Sequence, residues 1–232
     1  MEPFIAQGSG LSFSDRENLL QFLGDVDVSV PGRTEGRRSH HHERYCMVRY
    51  LQTLTGESLL EFPLKIVRSE SPDFFLNFTD CSVAIEIRDI GTERSQEATT
   101  LLERSPVGTF LEGEASLVRP GEALQHPGYK NDESETELAG LILDALDDKA
   151  KTINDPHFQA ADFYDLLLYD NSHLVMVTDF KALRPILKGS IGTWQSRCEL
   201  PRRIRQISVL RDSELLYDCG GATRILAVRR CT

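Results

Sequence analysis

Two short stretches, residues 73–79 and 82–90, are rich in apolar and β-branched residues and flank Thr79-Asp80. Such runs are typical of β-strands, and the polar pair between them is typical of a tight turn. An earlier apolar run at 62–67 predicts a strand that precedes this hairpin. We therefore expect three consecutive strands in this part of the chain.

Apolar residues at spacings of three and four predict two helices on either side of these strands. The first covers about 42–55, where Gly56 provides a stop signal. The second covers about 133–153, with acidic residues in its first turn and lysines near its end, as the helix dipole favours. Helices and strands thus follow one another along one chain.

The pattern extends to the C-terminus and leaves two weakly ordered segments. Further strands are predicted at 163–169, 174–180, 204–210, 214–217 and 223–228, and a short helix at 181–187. Residues 1–39 are predicted to be an N-terminal appendage with a short helix, and 92–133 a long polar loop. The fold class that follows is α/β, a mixed β-sheet flanked by helices, with residues 40–232 as a single domain.

Composition limits the classes of function. The 232 residues include 40% apolar and 27% charged residues, with no apolar run near the roughly 20 residues that span a bilayer. Five scattered cysteines and an N-terminus without a secretion signal favour a cytoplasmic protein with reduced thiols. The net charge of −10 argues against an unspecific nucleic-acid coat, but not against a nuclease with a local basic patch.

The hairpin places two acids opposite each other. If the turn is centred on Thr79-Asp80, Asp73 faces Glu86, and directly opposed residues project from the same side of a sheet about 5 Å apart at Cβ. Two carboxylates in that arrangement repel each other unless a cation lies between them. Acidic oxygen ligands suit Mg²⁺ or Mn²⁺, which predicts a metal-dependent hydrolase.

A lysine in the second long helix is the third candidate. Lys149 falls on the apolar stripe formed by Leu138, Ile142 and Ala145, whereas Lys151 points away from it. A charged amine facing a core needs a carboxylate partner. We expect the Lys149 ammonium to reach the acid pair, although an amine that extends from the stripe to water is the alternative.

Pro72-Asp73, the turn and Glu86 in an apolar strand resemble the PD-(D/E)XK, or restriction-endonuclease-like, nuclease superfamily. The resemblance implies an αβββαβ core, matching the helix near 42–55, three strands, the helix at 133–153 and the strand near 164–169. It implies that Asp73 and Glu86 bind the divalent metal, with the backbone carbonyl of Ile87 as a third ligand.

The superfamily places a lysine two positions after the second acid, where this chain has Arg88. Arginine remains protonated and cannot act as a base, although it can stabilise negative charge or bind phosphate. Some members carry the lysine on the following helix, and Lys149 before the Asp165-Leu-Leu-Leu-Tyr169 stretch resembles an uncharacterised bacterial branch of that kind. Glu43 in the first helix has a counterpart that bonds a metal-bound water, but a surface position is the simpler expectation here.

Two basic clusters are candidates for phosphate contacts. One contains Arg33, Arg37 and Arg38 beside His40–His42, and the other contains Arg202, Arg203 and Arg205. A solvated basic surface is the alternative for both. Three consecutive histidines rarely converge on one ion, so we do not expect a metal site there. Trp194, the single tryptophan, is expected in a loop, where it covers a core edge or stacks on a base.

Three hypotheses remain at this point. The first is a Mg²⁺- or Mn²⁺-dependent phosphodiesterase that cleaves DNA or RNA, with Asp73, Glu86, Lys149 and Arg88 in the active site. The second is a catalytically inactive protein of the same fold that binds nucleic acid or protein. In the third, Asp73 caps a strand and Glu86 forms a salt bridge with Arg88 or Lys149.

Overall fold

A mixed β-sheet forms the centre of the protein in the computed structural model. The structure describes residues 4–31, 36–91, 133–170, 180–197, 201–211, 214–219 and 222–228. Residues 92–132 of the predicted loop and residues 174–179 of the predicted strand lie outside these ranges.

The strands lie in the sheet in the same order as in the chain. They are β1 Gly10–Phe13, β2 Leu64–Arg68, β3 Phe74–Asn77, β4 Ser82–Ile90, β5 Phe163–Asp170, β6 Ile204–Arg211, β7 Glu214–Cys219 and β8 Ala222–Ala227. The pairs β4–β5 and β5–β6 are parallel, and the remaining neighbours are antiparallel. The mixed α/β class predicted from the sequence is therefore confirmed.

Helices cover both faces of the sheet. They are α1 Arg16–Asp25, α2 Ser39–Gly56, α3 Glu133–Ile153 and α4 Phe180–Arg197. One buried core joins α1 and α2 to the sheet, and a second joins α3 and α4 to its other face. None of the helices in the described ranges combines the length and apolar character needed to cross a membrane.

Strand β4 separates the two cores. Ile85 belongs to the core under α2, whereas its neighbour Ala84 belongs to the core under α3. This alternation is the two-residue period of a strand. Because the central part of β4 is covered on both faces, Val83, Ala84 and Ile85 form a continuous apolar run, and the buried Glu86 directly after them is conspicuous.

The β3–β4 hairpin has the register expected from the sequence. Phe74 pairs with Ile85 and Asn77 pairs with Ser82, and Phe78 N donates to the Cys81 carbonyl across the turn at 2.8 Å. Continued by one residue, this register places Asp73 opposite Glu86. The hairpin therefore brings together the two acids on which the metal hypothesis depends.

The first part of the chain is less separate than the predicted appendage at 1–39. Strand β1 extends the sheet by pairing with β2, and Leu19 and Leu23 of α1 are buried in the core under α2. Because Leu19 is fully buried there, the apolar face of α1 is an integral part of that core.

Helix α4 is longer than the short helix predicted at 181–187. It continues through Gly189 and Gly192 to Arg197, and it contains Trp194, which we expected in a loop. Ile191 is buried against the core under α3, and the indole Nε1 of Trp194 donates to Asp147 Oδ1 at 2.6 Å. Packing against α3 thus outweighs the low helix propensity of the two glycines.

Candidate active site

Two carboxylates meet at the open end of the β3–β4 hairpin. Glu86 lies in the middle of β4 and is only 5% exposed, between the buried residues Ile85 and Ile87. Asp73 immediately precedes β3 and is half-buried. A buried glutamate beside a second acid is costly unless a positive charge or a proton compensates it.

The Asp73 carboxylate is bound to the strand that carries Glu86. The main-chain amide of Ile87 donates to Asp73 Oδ2 at 2.7 Å. Burial, followed by the charge of Glu86, raises the pKa of Asp73 to about 7, although the Ile87 hydrogen bond and the charge of Lys149 oppose this shift. The site therefore favours either a proton on Asp73 or a cation beside it.

Lys149 reaches the acid pair, as the helical pattern predicts. Its Nζ forms an ion pair with Glu86 Oε2, in which the lysine side chain is 20% exposed and the glutamate side chain 7% exposed. Helix α3 positions the amine, since Leu146 and Ala150 on either side of it are buried against the sheet. Lys151 is exposed, as expected.

Arg88 lies on the same side of β4 but binds a different partner. Its guanidinium pairs with Asp148 of α3 at 2.9 Å, and both side chains are more than one-third exposed. Among the alternatives for a Glu86 salt bridge, the structure therefore has Lys149 and not Arg88. Arg88 lies at the exposed edge of the acid-pair site and lines the adjoining cavity, where a guanidinium can face an anion.

Glu43 is closer to the site than the sequence suggested. It lies on α2 with its side chain 19% exposed and pairs with Arg68 at 3.1 Å, so the expected surface position is wrong. Its negative charge is among the factors that raise the pKa of Asp73. The counterpart of Glu43 in the superfamily was the only sequence signal for this placement, because nothing in the local pattern indicates which way α2 faces.

A cavity of about 410 Å³ adjoins the acid pair between the start of α2 and the end of β4. Ile87 and Glu43 connect this cavity to the acid pair, since both residues line the cavity. The Ile87 amide donates to the Asp73 carboxylate, and the charge of Glu43 helps to raise the pKa of Asp73. The other lining residues come from the two elements and the segment before α2, and they are Arg37, Arg38, Ser39, His42, Arg88 and Asp89. Three arginines thus line the cavity that adjoins the Asp73 and Glu86 carboxylates.

The three consecutive histidines at the start of α2 make separate contacts. Arg38 N donates to His41 Nδ1 at 3.1 Å, His42 Nδ1 lies 2.7 Å from Asp89 Oδ1, and the His40 ring packs against His41 at 4.2 Å. The rings therefore do not share one point of convergence.

The predicted metal ligands at the acid pair are two carboxylates and one main-chain carbonyl. Across the ranges that the structure describes, no group of three or more His, Cys, Asp or Glu side chains is arranged to hold a metal ion. The predicted ligand set contains only Asp73 and Glu86, completed by the Ile87 carbonyl, so it is not a cluster of that kind. Its all-oxygen chemistry and the unfavourable proximity of the two carboxylates fit a hard divalent cation.

Comparisons with protein-family models, with curated proteins and with solved structures give no match for this chain.

Proposed function

We propose that this protein is a divalent-metal-dependent phosphodiesterase that cleaves nucleic acid, with the architecture and site of the PD-(D/E)XK superfamily. The observation that carries the proposal is the arrangement of Asp73 opposite Glu86, with Lys149 ion-paired to Glu86. A buried glutamate, a half-buried aspartate and an amine held this close together are expensive for stability, which supports a catalytic purpose.

Asp73 and Glu86 would hold Mg²⁺ or Mn²⁺, with the Ile87 carbonyl as a further ligand. Burial and the Glu86 charge raise the pKa of Asp73 to about 7, and a divalent cation between the two carboxylates would relieve that repulsion. A bound divalent ion would supply Lewis acidity, neutralise phosphate charge and make water a stronger nucleophile.

Lys149 would orient the attacking water and stabilise the charge that develops on the phosphoryl oxygens. Its ion pair with Glu86 holds the ammonium at the acids, and its limited exposure strengthens its electrostatic effect. Arg88 does not take the role of the lysine that the superfamily has two positions after the second acid, because it is directed to Asp148. From the exposed edge of the site it would contact phosphate.

The order of elements supports the same assignment. Helix α2, strands β2 to β4, helix α3 and strand β5 follow one another, which is the αβββαβ order of the superfamily core. The lysine lies on the second helix of that series, as in members that have moved it from the strand.

A catalytically inactive nucleic-acid-binding protein is the second candidate. The Arg88–Asp148 pair favours it, because the position that usually carries the catalytic lysine is occupied by an arginine with another partner. The Glu86–Lys149 pair is also compatible with the third, purely structural hypothesis.

A cleavage assay separates these functions. Purified protein is incubated with plasmid, single-stranded DNA and RNA in Mg²⁺, Mn²⁺ or EDTA, together with the variants Asp73→Ala, Glu86→Gln and Lys149→Met. We expect metal-dependent cleavage that falls at least about a hundredfold in each variant. Asp144→Asn and Lys151→Met are the matched controls, since both residues are exposed on α3, and both should retain activity.

Two other outcomes would contradict the proposal. Binding of nucleic acid without cleavage in any metal identifies the inactive binding protein. Cleavage that persists in Glu86→Gln and Asp73→Ala at the wild-type rate excludes the proposed site and points to a contaminating nuclease. Circular dichroism of each variant establishes that lost activity does not reflect loss of the fold.

A further inference from the structure

The structure distinguishes between the two arginine clusters that the sequence left equivalent. The first, which we call the α2 cluster, consists of Arg37 and Arg38, because Arg33 of the predicted cluster lies outside the described residues. The second, the β6 cluster, consists of Arg202, Arg203 and Arg205. Both contain exposed or half-buried arginines close together in the chain, but their surroundings differ.

Most of the β6 cluster is occupied by contacts within the protein. Arg202 Nη1 donates to the carbonyls of Ile153 and Phe158 at 2.8 and 3.2 Å. Arg205 binds both carboxylate oxygens of the buried Asp165, at 3.0 and 2.6 Å. These guanidiniums connect the start of β6 to α3 and β5, which leaves Arg203 as the exposed member.

The α2 cluster is directed towards the cavity beside the acid pair. Arg37 and Arg38 line that cavity together with Arg88, and neither forms an ion pair with another residue in the described ranges. The two acids in the cavity wall already have partners, because Glu43 pairs with Arg68 and Asp89 lies beside His42. Among the described residues, therefore, no ion pair neutralises the positive charge that Arg37 and Arg38 bring to the cavity.

The volume and position of the cavity define what it accommodates. About 410 Å³ lies within the range of roughly 300–1,000 Å³ that is typical of ligand pockets. Planar guanidiniums bind phosphate oxygens in pairs, which suits them to a phosphodiester backbone. Since the chain carries a net charge of −10, a local positive cavity would also direct a polyanion to this part of the surface.

We propose that Arg37 and Arg38 bind the backbone phosphates of the nucleic-acid strand next to the phosphate at Asp73 and Glu86, and that the β6 cluster takes no part in binding. This inference rests on the proposed function for its substrate class. Beyond that function, the inference specifies which surface binds the nucleic-acid strand next to the acid pair and which arginines contact its phosphates. The shared residues Ile87 and Glu43 connect the phosphate-binding cavity to the acid pair.

Equilibrium binding tests the inference independently of cleavage. The anisotropy of a fluorescently labelled single-stranded oligonucleotide is titrated with protein in EDTA at several salt concentrations. Arg37→Ala and Arg38→Ala should each weaken binding several-fold and reduce the slope of log K against log salt by about 0.7. Arg37→Lys and Arg38→Lys keep the charge and should largely retain the slope.

Arg203→Ala is the matched control, because it removes one exposed arginine from the β6 cluster. Its affinity and salt slope should equal those of the wild-type protein. Equal losses in all three alanine variants would overturn the inference in favour of diffuse attraction, and so would unchanged binding in Arg37→Ala and Arg38→Ala. Absence of measurable binding by the wild-type protein would overturn it as well.

The failures of the two proposals are distinguishable. If the wild-type protein cleaves while the α2-cluster variants keep full affinity, the proposed function stands and the phosphate-binding assignment fails. If binding depends on Arg37 and Arg38 but no metal supports cleavage, the assignment stands and catalysis fails. Circular dichroism and thermal unfolding of the four α2-cluster variants exclude a general loss of structure.

Discussion

The main-chain amide of Ile87 donates a 2.7 Å hydrogen bond to the carboxylate of Asp73. One peptide group therefore ties the acid at the start of β3 to the strand that carries the second acid, Glu86. A register shift of one residue would turn Glu86 to the opposite face of the sheet, away from Lys149. The same backbone pairing thus determines the hairpin and the site.

Stability should fall as the pH rises through the range in which Asp73 titrates. The pKa of this carboxyl rises from 3.8 to about 7 because of burial and the charge of Glu86, so the folded state holds its proton more tightly than the unfolded chain does. Its contribution is therefore fully present below about pH 4 and is lost progressively until about pH 7. Asp73→Asn should remove this part of the pH dependence.

Urea unfolding in EDTA at pH 4.5, 6 and 8 measures this effect. We expect Asp73→Asn to gain stability relative to the wild-type protein as the pH rises, with the largest relative gain at pH 8. Asp144→Asn on the exposed side of α3 is the control and should follow the wild-type curve. Parallel curves for Asp73→Asn and wild type would show that Asp73 does not titrate in this range.

Divalent metal should stabilise the folded protein through the acid pair. Binding at 100 times the dissociation constant contributes about 2.7 kcal/mol, which for a chain of this size corresponds to roughly 5–10 °C in melting temperature. We expect Mn²⁺ to raise the melting temperature of the wild-type protein at pH 7.5. Asp73→Asn and Glu86→Gln should lose most of the shift.

The control for metal binding is again Asp144→Asn, which removes a carboxylate away from the site and should keep the shift. A Mn²⁺ effect of equal size in Asp73→Asn, Glu86→Gln and wild type would contradict binding at the acid pair. It would instead support the hypothesis that Glu86 and Lys149 form only a structural salt bridge.

Loss of Lys149 should destabilise the protein as well as inactivate it. Lys149→Met leaves Glu86, whose side chain is 7% exposed, beside Asp73 without its cation. Breaking a buried pair in this way costs about 3 kcal/mol, and the cost should be greatest above pH 7, where Asp73 is ionised as well. Urea unfolding at pH 8 measures the loss.

Lys151→Met is the matched control two residues away on the exposed face of α3. Its unfolding free energy should remain within about 0.5 kcal/mol of wild type. Similar losses in the two variants would mean that the Glu86 pair contributes nothing beyond helix propensity.

Arg205 should prove to be a structural residue. Burial raises the pKa of Asp165, and the hydrogen bonds and charge of Arg205 oppose that shift. Arg205→Met removes the guanidinium partner of this carboxylate, so we expect a loss of about 1–3 kcal/mol that grows as the pH rises and the carboxyl ionises. Oligonucleotide affinity should remain at the wild-type value below the melting temperature.

Urea unfolding and anisotropy on the same preparation give both quantities, with Arg203→Ala as the control for charge. A large loss of affinity in Arg205→Met, without a loss of stability, would contradict the structural assignment of this residue.

Local patterns in the sequence were sufficient to predict the register of the hairpin and the helix face on which Lys149 lies. The two apolar runs around Thr79-Asp80 define a register in which Asp73 opposes Glu86, and the structure has that register. The 3.6-residue period of α3 places Lys149 on the buried stripe and Lys151 outside it, and the predicted bounds of this helix are those observed. Both results depend on contacts within one hairpin or one helix, where spacing along the chain determines which side chains share a face.

Tertiary packing decided the remaining features of the site. The docking of α2 and α3 on the sheet determines which acid Arg88 binds and whether Glu43 faces the acid pair. It also determines which arginine cluster lines the cavity. Long charged side chains select among several partners within reach, and that choice is set by contacts between residues far apart in sequence. For the same reason the length of α4 and the place of β1 in the sheet could not be predicted, because each is stabilised by packing that no local period encodes.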